Sequence, residues 1–350
     1  MDLWDEFPEL QLRVKDALRS YARNSQLALR ADWRCWRAWC ADQTPALPPL
    51  PAQAPDVVAF VLSCSPATAT DARGVLIPSE STASPTVRAA STVRRYLHTL
   101  SAFHRLARLP DPTRDPEVVA VRRRVTRGRG AMRQKTGINR PLLEELLSVL
   151  EGTLWDRRTR ALLLTAYCTL ARSAELVALH VEDLAVSDSG DGYAVIRTSK
   201  SDQEGLGSHR YLAAPAITAL REWLEATGIR EGYVFRRIHK FGGVTLKAID
   251  SHEVARILRA TIRRLPEGKR PVGSFAGHST RIGAAQDLVA SGQDLLSVMQ
   301  SGGWKDPKMP ARYTEHLAAM RGGMAQLWGR MERDESSSLA PPVPLIAASG

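Results

Sequence analysis

Cysteine is scarce in this 350-residue chain: Cys35, Cys40, Cys64 and Cys168 are the only four. None forms a CxxC pair or stands at zinc-ligand spacing from a nearby histidine, so neither a zinc module nor a disulfide framework is expected. They read as buried thiols of a reducing compartment. No apolar run reaches membrane-spanning length. The opening residues, MDLWDEFPEL, are acidic and lack the apolar core of a signal peptide. A soluble, cytoplasmic protein is the expectation. Carboxylates are also in deficit, 37 against 48 Lys and Arg for a net charge of +11. They show no cluster of the kind a two-metal nuclease uses, so no metal and no cofactor is called for. Most of the positive excess falls before residue 136, which points to a polyanionic partner, most commonly nucleic acid.

What is present is enough apolar sequence, 44% hydrophobic residues, for two domains with cores of their own. Over 25–41, Leu29, Trp33, Trp36 and Cys40 make one helical stripe, and Arg30, Arg34 and Arg37 make the neighbouring one. A proline-rich connection at 44–55, a short helix at 56–64 and a Ser/Thr/Ala/Pro-rich loop at 65–85 follow. Residues 86–109 read as a long helix, with Val93, Leu97, Leu100 and Ala107 inward. Arg94, His98, Ser101, Arg105 and Arg108 form its basic stripe. Single basic stripes are ordinarily solvated helix faces, but several in one helical module favour DNA, because helices fit the major groove and Lys/Arg neutralise phosphates.

The expected organisation is an N-terminal extension at 1–19, a helical DNA-binding domain at 20–127, a linker at 128–139 and a second domain at 140–333. A disordered tail covers 334–350. The fold class is mainly α with a small antiparallel β-sheet. Helices are expected at about 140–151, 157–171 and 173–180. The runs VEDLAVS, YAVIRTS and SHRYLAA make the sheet, and helices continue to about 333.

Within the second domain, FAGHSTRIGAAQDLVASG places His278 in a turn and Arg281 in the first turn of a helix capped by Ser279 or Thr280. A cation near the positive end of a helix dipole calls for an anion, and phosphate is the obvious one. Arg172 and Glu175, three apart, share a helix face, the ordinary spacing of a structural ion pair. Lys200 sits in a hairpin turn, Trp304 follows two glycines, and Tyr313 lies near the end of a short helix. Taken together they form a set suited to phosphoryl transfer: an oxygen nucleophile, cations for the non-bridging oxygens and an acid for the leaving oxygen.

In order and interval, Arg172-x-x-Glu175, Lys200, His278-x-x-Arg281, Trp304 and Tyr313 resemble the signature of the tyrosine recombinase (phage integrase) family. The similarity runs over most of residues 20–333. It implies a two-domain C-shaped DNA clamp and a recombinase that cleaves and rejoins DNA through a 3′-phosphotyrosyl link and a Holliday junction, without metal or ATP. Tyr313 is then the nucleophile. His278 is its base or hydrogen-bond partner, and Lys200 is the acid for the 5′ oxygen. Arg172, Arg281 and Trp304 hold the phosphate, and Glu175 orients its neighbours. The resemblance also implies a base-reading helix at 250–264 with His252, Arg256 and Arg259, a DNA contact at Lys240, and a helix at 323–333 that docks into a neighbouring protomer through Met324, Leu327 and Trp328. The implied partners are double-stranded DNA with short inverted repeats and three further copies of the chain, in the cytoplasm of a bacterial host. An integrase needing accessory proteins, a dimer resolvase, a topoisomerase of the same chemistry and an inactive DNA-binding protein remain as alternatives.

Overall fold

The computed structural model describes residues 16–64, 67–70, 76–78, 88–127, 134–197, 207–321, 323–328 and 331. The chain divides into two compact units between Arg133 and Gln134.

The first unit contains helices α1 (Arg23–Ala41), α2 (Ala54–Ser63), α3 (Ala90–Leu106) and α4 (Pro116–Thr126). The apolar stripe of α1 is its core: Leu29, Trp33, Trp36 and Cys40 are all buried. Trp33 packs on Phe103 of α3 with ring centroids 4.6 Å apart, and Trp36 meets Phe60 of α2 edge-on at 5.1 Å. A buried indole needs an acceptor for its N–H, and that of Trp36 donates to the Pro49 carbonyl at 2.8 Å. Two polar ties hold α3 in place, one to α1 and one to the connection that precedes α2. Buried Asp32 accepts from Arg95 at 2.7 and 2.9 Å and from Thr99 Oγ1 at 3.1 Å, which offsets the cost of its desolvation. Fully buried His104 bonds the Leu100 carbonyl through Nδ1 at 2.9 Å and accepts the Ala52 N–H at Nε2 at 3.0 Å, which assigns the proton to Nδ1.

Two details depart from the sequence reading. Helix α3 stops at Leu106 rather than 109, because Arg108 turns left-handed at φ 56° and Pro110 follows. The stretch 65–85, read as a loop, holds two short antiparallel strands, β1 (Ala67–Thr70) and β2 (Leu76–Pro78), with Ala67 opposite Pro78. The threonines and Ile77 favour extended backbone, a preference masked by the surrounding Ser, Ala and Pro.

The second unit opens with residues that the sequence reading assigned to a linker. Thr136 N–H donates to Ser274 O at 2.9 Å, Ile138 N–H donates to Ser279 O at 2.8 Å, and Ile138 is fully buried. Asn139 then caps α5 (Arg140–Ser148), with Pro141 in the first turn. Helix α6 (Leu154–Thr169), capped by Thr153, runs through the core on Ala161, Leu162, Leu163 and Ala166. The short α7 (Ser173–Val177) follows. The expected sheet is present as β3 (Leu184–Val186), β4 (Gly192–Ile196) and β5 (Ser208–Leu212), antiparallel in that order. Helix α8 (Ala214–Thr227) packs on α6, with Trp223 fully buried and donating to Val234 O at 2.8 Å.

Helices do not then continue uninterrupted to the C-terminal end. A hairpin of β6 (Arg236–Ile238) and β7 (Val244–Ala248) intervenes. Its signal is two short runs flanking Gly242-Gly243. Helix α9 (Ser251–Arg264) starts in a reciprocal cap: Asp250 accepts from His252 N–H at 2.8 Å, and Glu253 accepts from Asp250 N–H at 3.2 Å. The last elements with defined ends are α10 (Ser279–Ala290), α11 (Leu295–Gly302) and α12 (Lys308–Arg321), and residues 323–328 are also helical. Residues 1–15, 128–133 and 334–350 lie outside the described residues, as does the rest of the 65–85 stretch.

Candidate active site

Helix α10 starts as its sequence implies but is capped differently. His278 occupies the cap position without a side-chain cap bond, and Ser279, the first helical residue, accepts the Ala276 N–H on its Oγ at 3.0 Å. Arg281 therefore lies in the first turn, and it is 2% exposed. Its Nη1 donates to the Leu170 carbonyl, and its Cζ lies 3.7 Å from the centre of the Trp304 ring. Leu170 ends α6 in the left-handed region at φ 50°, an uncommon and strained conformation for a residue other than glycine. It turns a backbone carbonyl onto a buried cation. The other terminal nitrogen, Nη2, is buried and has no hydrogen-bond partner. An unmatched charged donor costs about 1–3 kcal/mol or more, so its retention points to a use. Burial, and after it the like charge of Arg172, pushes the Arg281 pKa down to about 9, which leaves it charged at neutral pH.

Arg172 precedes α7 and is tied to Glu175 twice. The carboxylate accepts the Arg172 backbone N–H at 2.9 Å and its Nη1 at 2.5 Å. Glu175 is buried and Arg172 keeps 24% of its side chain exposed, so the pair orients a guanidinium that still faces outward. Helix α7 approaches the His278 turn closely at Gly277, where a Cβ would overlap Ser173 Oγ. His278 is exposed to solvent, yet the protein packed around its ring, then Arg281 and Arg172, hold its pKa below the ordinary histidine value.

Tyr313 lies inside α12 rather than near the end of a short helix. It is buried, with its ring centre 6.2 Å from that of Trp304. Burial raises its pKa, while Arg281 and Arg172 pull in the opposite direction. Gln286 of α10 donates to the Tyr313 carbonyl at 3.1 Å, which joins the tyrosine's helix to the helix of Arg281. Arg172 and Glu175 thus meet His278, Arg281, Trp304 and Tyr313, which follow about 100 residues later in the chain. Lys200 lies outside the described residues, in the connection between β4 and β5. Among the described residues, no three His, Cys, Asp or Glu side chains gather as a metal site requires.

The other candidates lie on surfaces. Arg30, Arg34, Arg94, His98, Arg105 and Arg108 are exposed on α1, on α3 and just beyond it, and Arg37 is half-buried. Lys240 at the β6–β7 turn and His252, Arg256 and Arg259 on α9 are exposed, Arg256 being paired with Glu253. Met324, Leu327 and Trp328 are 72%, 50% and 61% exposed. Sequence reasoning missed Leu170, Gln286 and Arg210. Leu170 acts through its backbone and leaves no side-chain signature. Arg210 had one, since it alternates with Leu212 on the inward face of a strand.

A family model described as the phage integrase family matches residues 140–320. The chain is 26% identical over 339 residues to the recombinase Cre of Escherichia phage P1, covering 91% of this chain and 92% of that protein. It is 27% identical over 323 residues to an integrase/recombinase XerD homolog of Selenomonas ruminantium, covering 87% and 86%. Among solved structures, a lambda integrase dimer bound to a COC′ core site superposes with a TM-score of 0.57 at 16% identity, over 87% of this chain and 75% of that one. The Tn1549 transposon integrase in complex with transposon right end DNA does so with a TM-score of 0.57 at 13% identity, over 89% and 98%.

Proposed function

The chain belongs to the phage integrase family and is a tyrosine-type site-specific DNA recombinase, and from that premise we propose how its site works and what it assembles on. Tyr313 attacks the scissile phosphate of duplex DNA. A 3′-phosphotyrosyl bond forms as the bond to the 5′ oxygen breaks. The tyrosine proton passes to His278, which its depressed pKa keeps neutral and able to accept. Transfer is needed because a tyrosine with an ordinary pKa of about 10, raised further by burial, is protonated at neutral pH. Arg172 and Arg281 neutralise the non-bridging oxygens, and Glu175 keeps the Arg172 fork in place. Lys200, in the β4–β5 connection, protonates the departing 5′ oxygen. Trp304 packs the Arg281 guanidinium and lends its indole N–H to the phosphate.

The observation that carries this reading is the unmatched Nη2 of Arg281, a buried cationic donor beside a buried tyrosine. A phosphate oxygen is the acceptor that completes it. Because the phosphotyrosyl link conserves the energy of the phosphodiester, strands rejoin without ATP and exchange is favoured over cutting. The exposed basic faces of α1, α3 and α9, with Lys240, meet the DNA backbone and bases. Four protomers on two sites built of short inverted repeats exchange strands through a Holliday junction, each docking its 323–328 segment into a neighbour through Met324, Leu327 and Trp328. The apolar side chains that this segment leaves in solvent support the docking.

Covalent capture tests the proposal. Wild type and Tyr313→Phe are incubated in EDTA with a library of random duplexes, denatured in detergent, and the attached DNA is sequenced. Wild type should retain DNA at discrete inverted repeats, while Tyr313→Phe should retain none and still bind. An adduct of equal yield with Tyr313→Phe would remove Tyr313 as nucleophile.

A further inference from the structure

Strand β5 carries an inward-facing cation that the chemistry above does not use. Arg210 pairs opposite Ala194 of β4, shares its face with buried Leu212, and is 7% exposed. Its Nη1 donates to Gln300 O at 2.7 Å and to Ser301 O at 3.2 Å, two carbonyls in the last turn of α11. That turn has no basic residue of its own, and carbonyls at a helix end need donors and favour a cation.

Beyond these carbonyls the chain turns left-handed at Gly303, φ 63°, and the Trp304 N–H closes the turn on Met299 O at 2.9 Å. The packing leaves no slack. A Cβ on Gly303 would overlap the Arg210 guanidinium, and a Cβ on Gly302 would overlap the Trp304 ring. Guanidinium, two glycines and indole therefore form one continuous stack. The same indole lies 3.7 Å from Arg281 Cζ and borders the Tyr313 ring.

We propose that Arg210 is a positioning residue of the recombination site. It braces the Gly302–Gly303 turn from the β-sheet and thereby sets Trp304 over Arg281, without binding phosphate itself. The proposal rests on the reading of Arg281 as the phosphate-facing cation. Arg210 donates to the backbone carbonyls of Gln300 and Ser301, the geometry of a brace, whereas Arg281 keeps one donor unmatched. The brace also ties β5, the strand that follows the Lys200 connection, to the Trp304 turn, so two parts of the site share one anchor.

The test compares Arg210→Met, Arg210→Lys, Trp304→Phe and the Arg210→Met/Trp304→Phe double variant in the full chain, labelled with 5-fluorotryptophan. Of the eight tryptophans, the Trp304 signal in the ¹⁹F spectrum is assigned by its absence from Trp304→Phe. In Arg210→Met this signal should shift or broaden while the other signals stay, which separates a local displacement from general unfolding. The rate of adduct formation at saturating DNA should fall about 30- to 100-fold, with DNA affinity within about threefold, as expected when a catalytic group is displaced slightly. Arg210→Lys should recover most of the rate. The double variant should be no more than about twofold slower than Trp304→Phe, because both changes act through one indole. An unmoved Trp304 signal, or losses that multiply in the double variant, would overturn the proposal. A wild-type protein that forms no adduct would instead sink the recombination reading, and the ¹⁹F comparison would still decide the role of Arg210.

Discussion

Arg94 and Arg105 stand in solvent on α3, whose opposite face is packed through Leu97 and Leu100. In the second unit Arg281 and Arg210 are 2% and 7% exposed, each held by backbone carbonyls from a distant element. A solvated arginine costs little and reaches a phosphate by swinging its side chain, and salt screens the attraction. A buried one must be given acceptors by the fold, and the donor that Arg281 has left over is the one the proposed reaction aims at phosphate. The first kind should therefore govern how tightly DNA is held, and the second how fast it reacts.

Removing the aimed cation is the severest break. Arg281→Ala should slow adduct formation at saturating DNA by about 10³-fold, the upper range for one oxyanion-stabilising donor, while the dissociation constant changes less than about tenfold. A loss of affinity as large as the loss of rate would erase the distinction between the two kinds of arginine. Next in size is Trp33→Ala in the first unit, which should cost about 3–5 kcal/mol in urea unfolding through the cavity it leaves. The reaction rate per folded molecule at saturating DNA should not change, and a slower one would show that the first unit's core reaches into the chemistry.

Smaller still are the solvated arginines. Arg94→Ala and Arg105→Ala should each lower the slope of log affinity against log salt by about one, with the saturated rate intact. A rate that falls at saturation would place these side chains in the chemical step. The subtlest effect is on pH. Because His278 is held below its ordinary pKa, it stays neutral as pH falls from 7 and protonates only in more acid solution. The acid limb of the rate profile should thus lie below about pH 6.5, the unperturbed histidine value. An acid limb above that value would exclude His278 as the group that must be neutral.

These differences also mark what could be read in advance. The stripe of Leu29, Trp33, Trp36 and Cys40 was legible because helical period alone places those side chains on one face. The sheet of β3, β4 and β5 was legible because alternating or β-branched runs are broken by turn residues along 181–214. Lost were the β6–β7 hairpin, whose own Arg236, Arg237 and Lys247 weaken the strand signal, and the cap of α10, where buried Ser279 accepts the Ala276 N–H on its hydroxyl instead.

By itself the order of Arg172, Glu175, Lys200, His278, Arg281, Trp304 and Tyr313 along the chain determined the family and the candidate site, because residue types in sequence carry chemistry without coordinates. Only the tertiary structure decided which of these groups is satisfied and which is left waiting. That Leu170 turns a carbonyl onto Arg281, that Arg210 braces the turn before Trp304, and that Nη2 of Arg281 keeps no partner depend on contacts between residues about 90 to 110 positions apart. Backbone acceptors and close packing of that range leave no local pattern, since neither a carbonyl's direction nor a neighbour's distance is encoded by the residue that bears it.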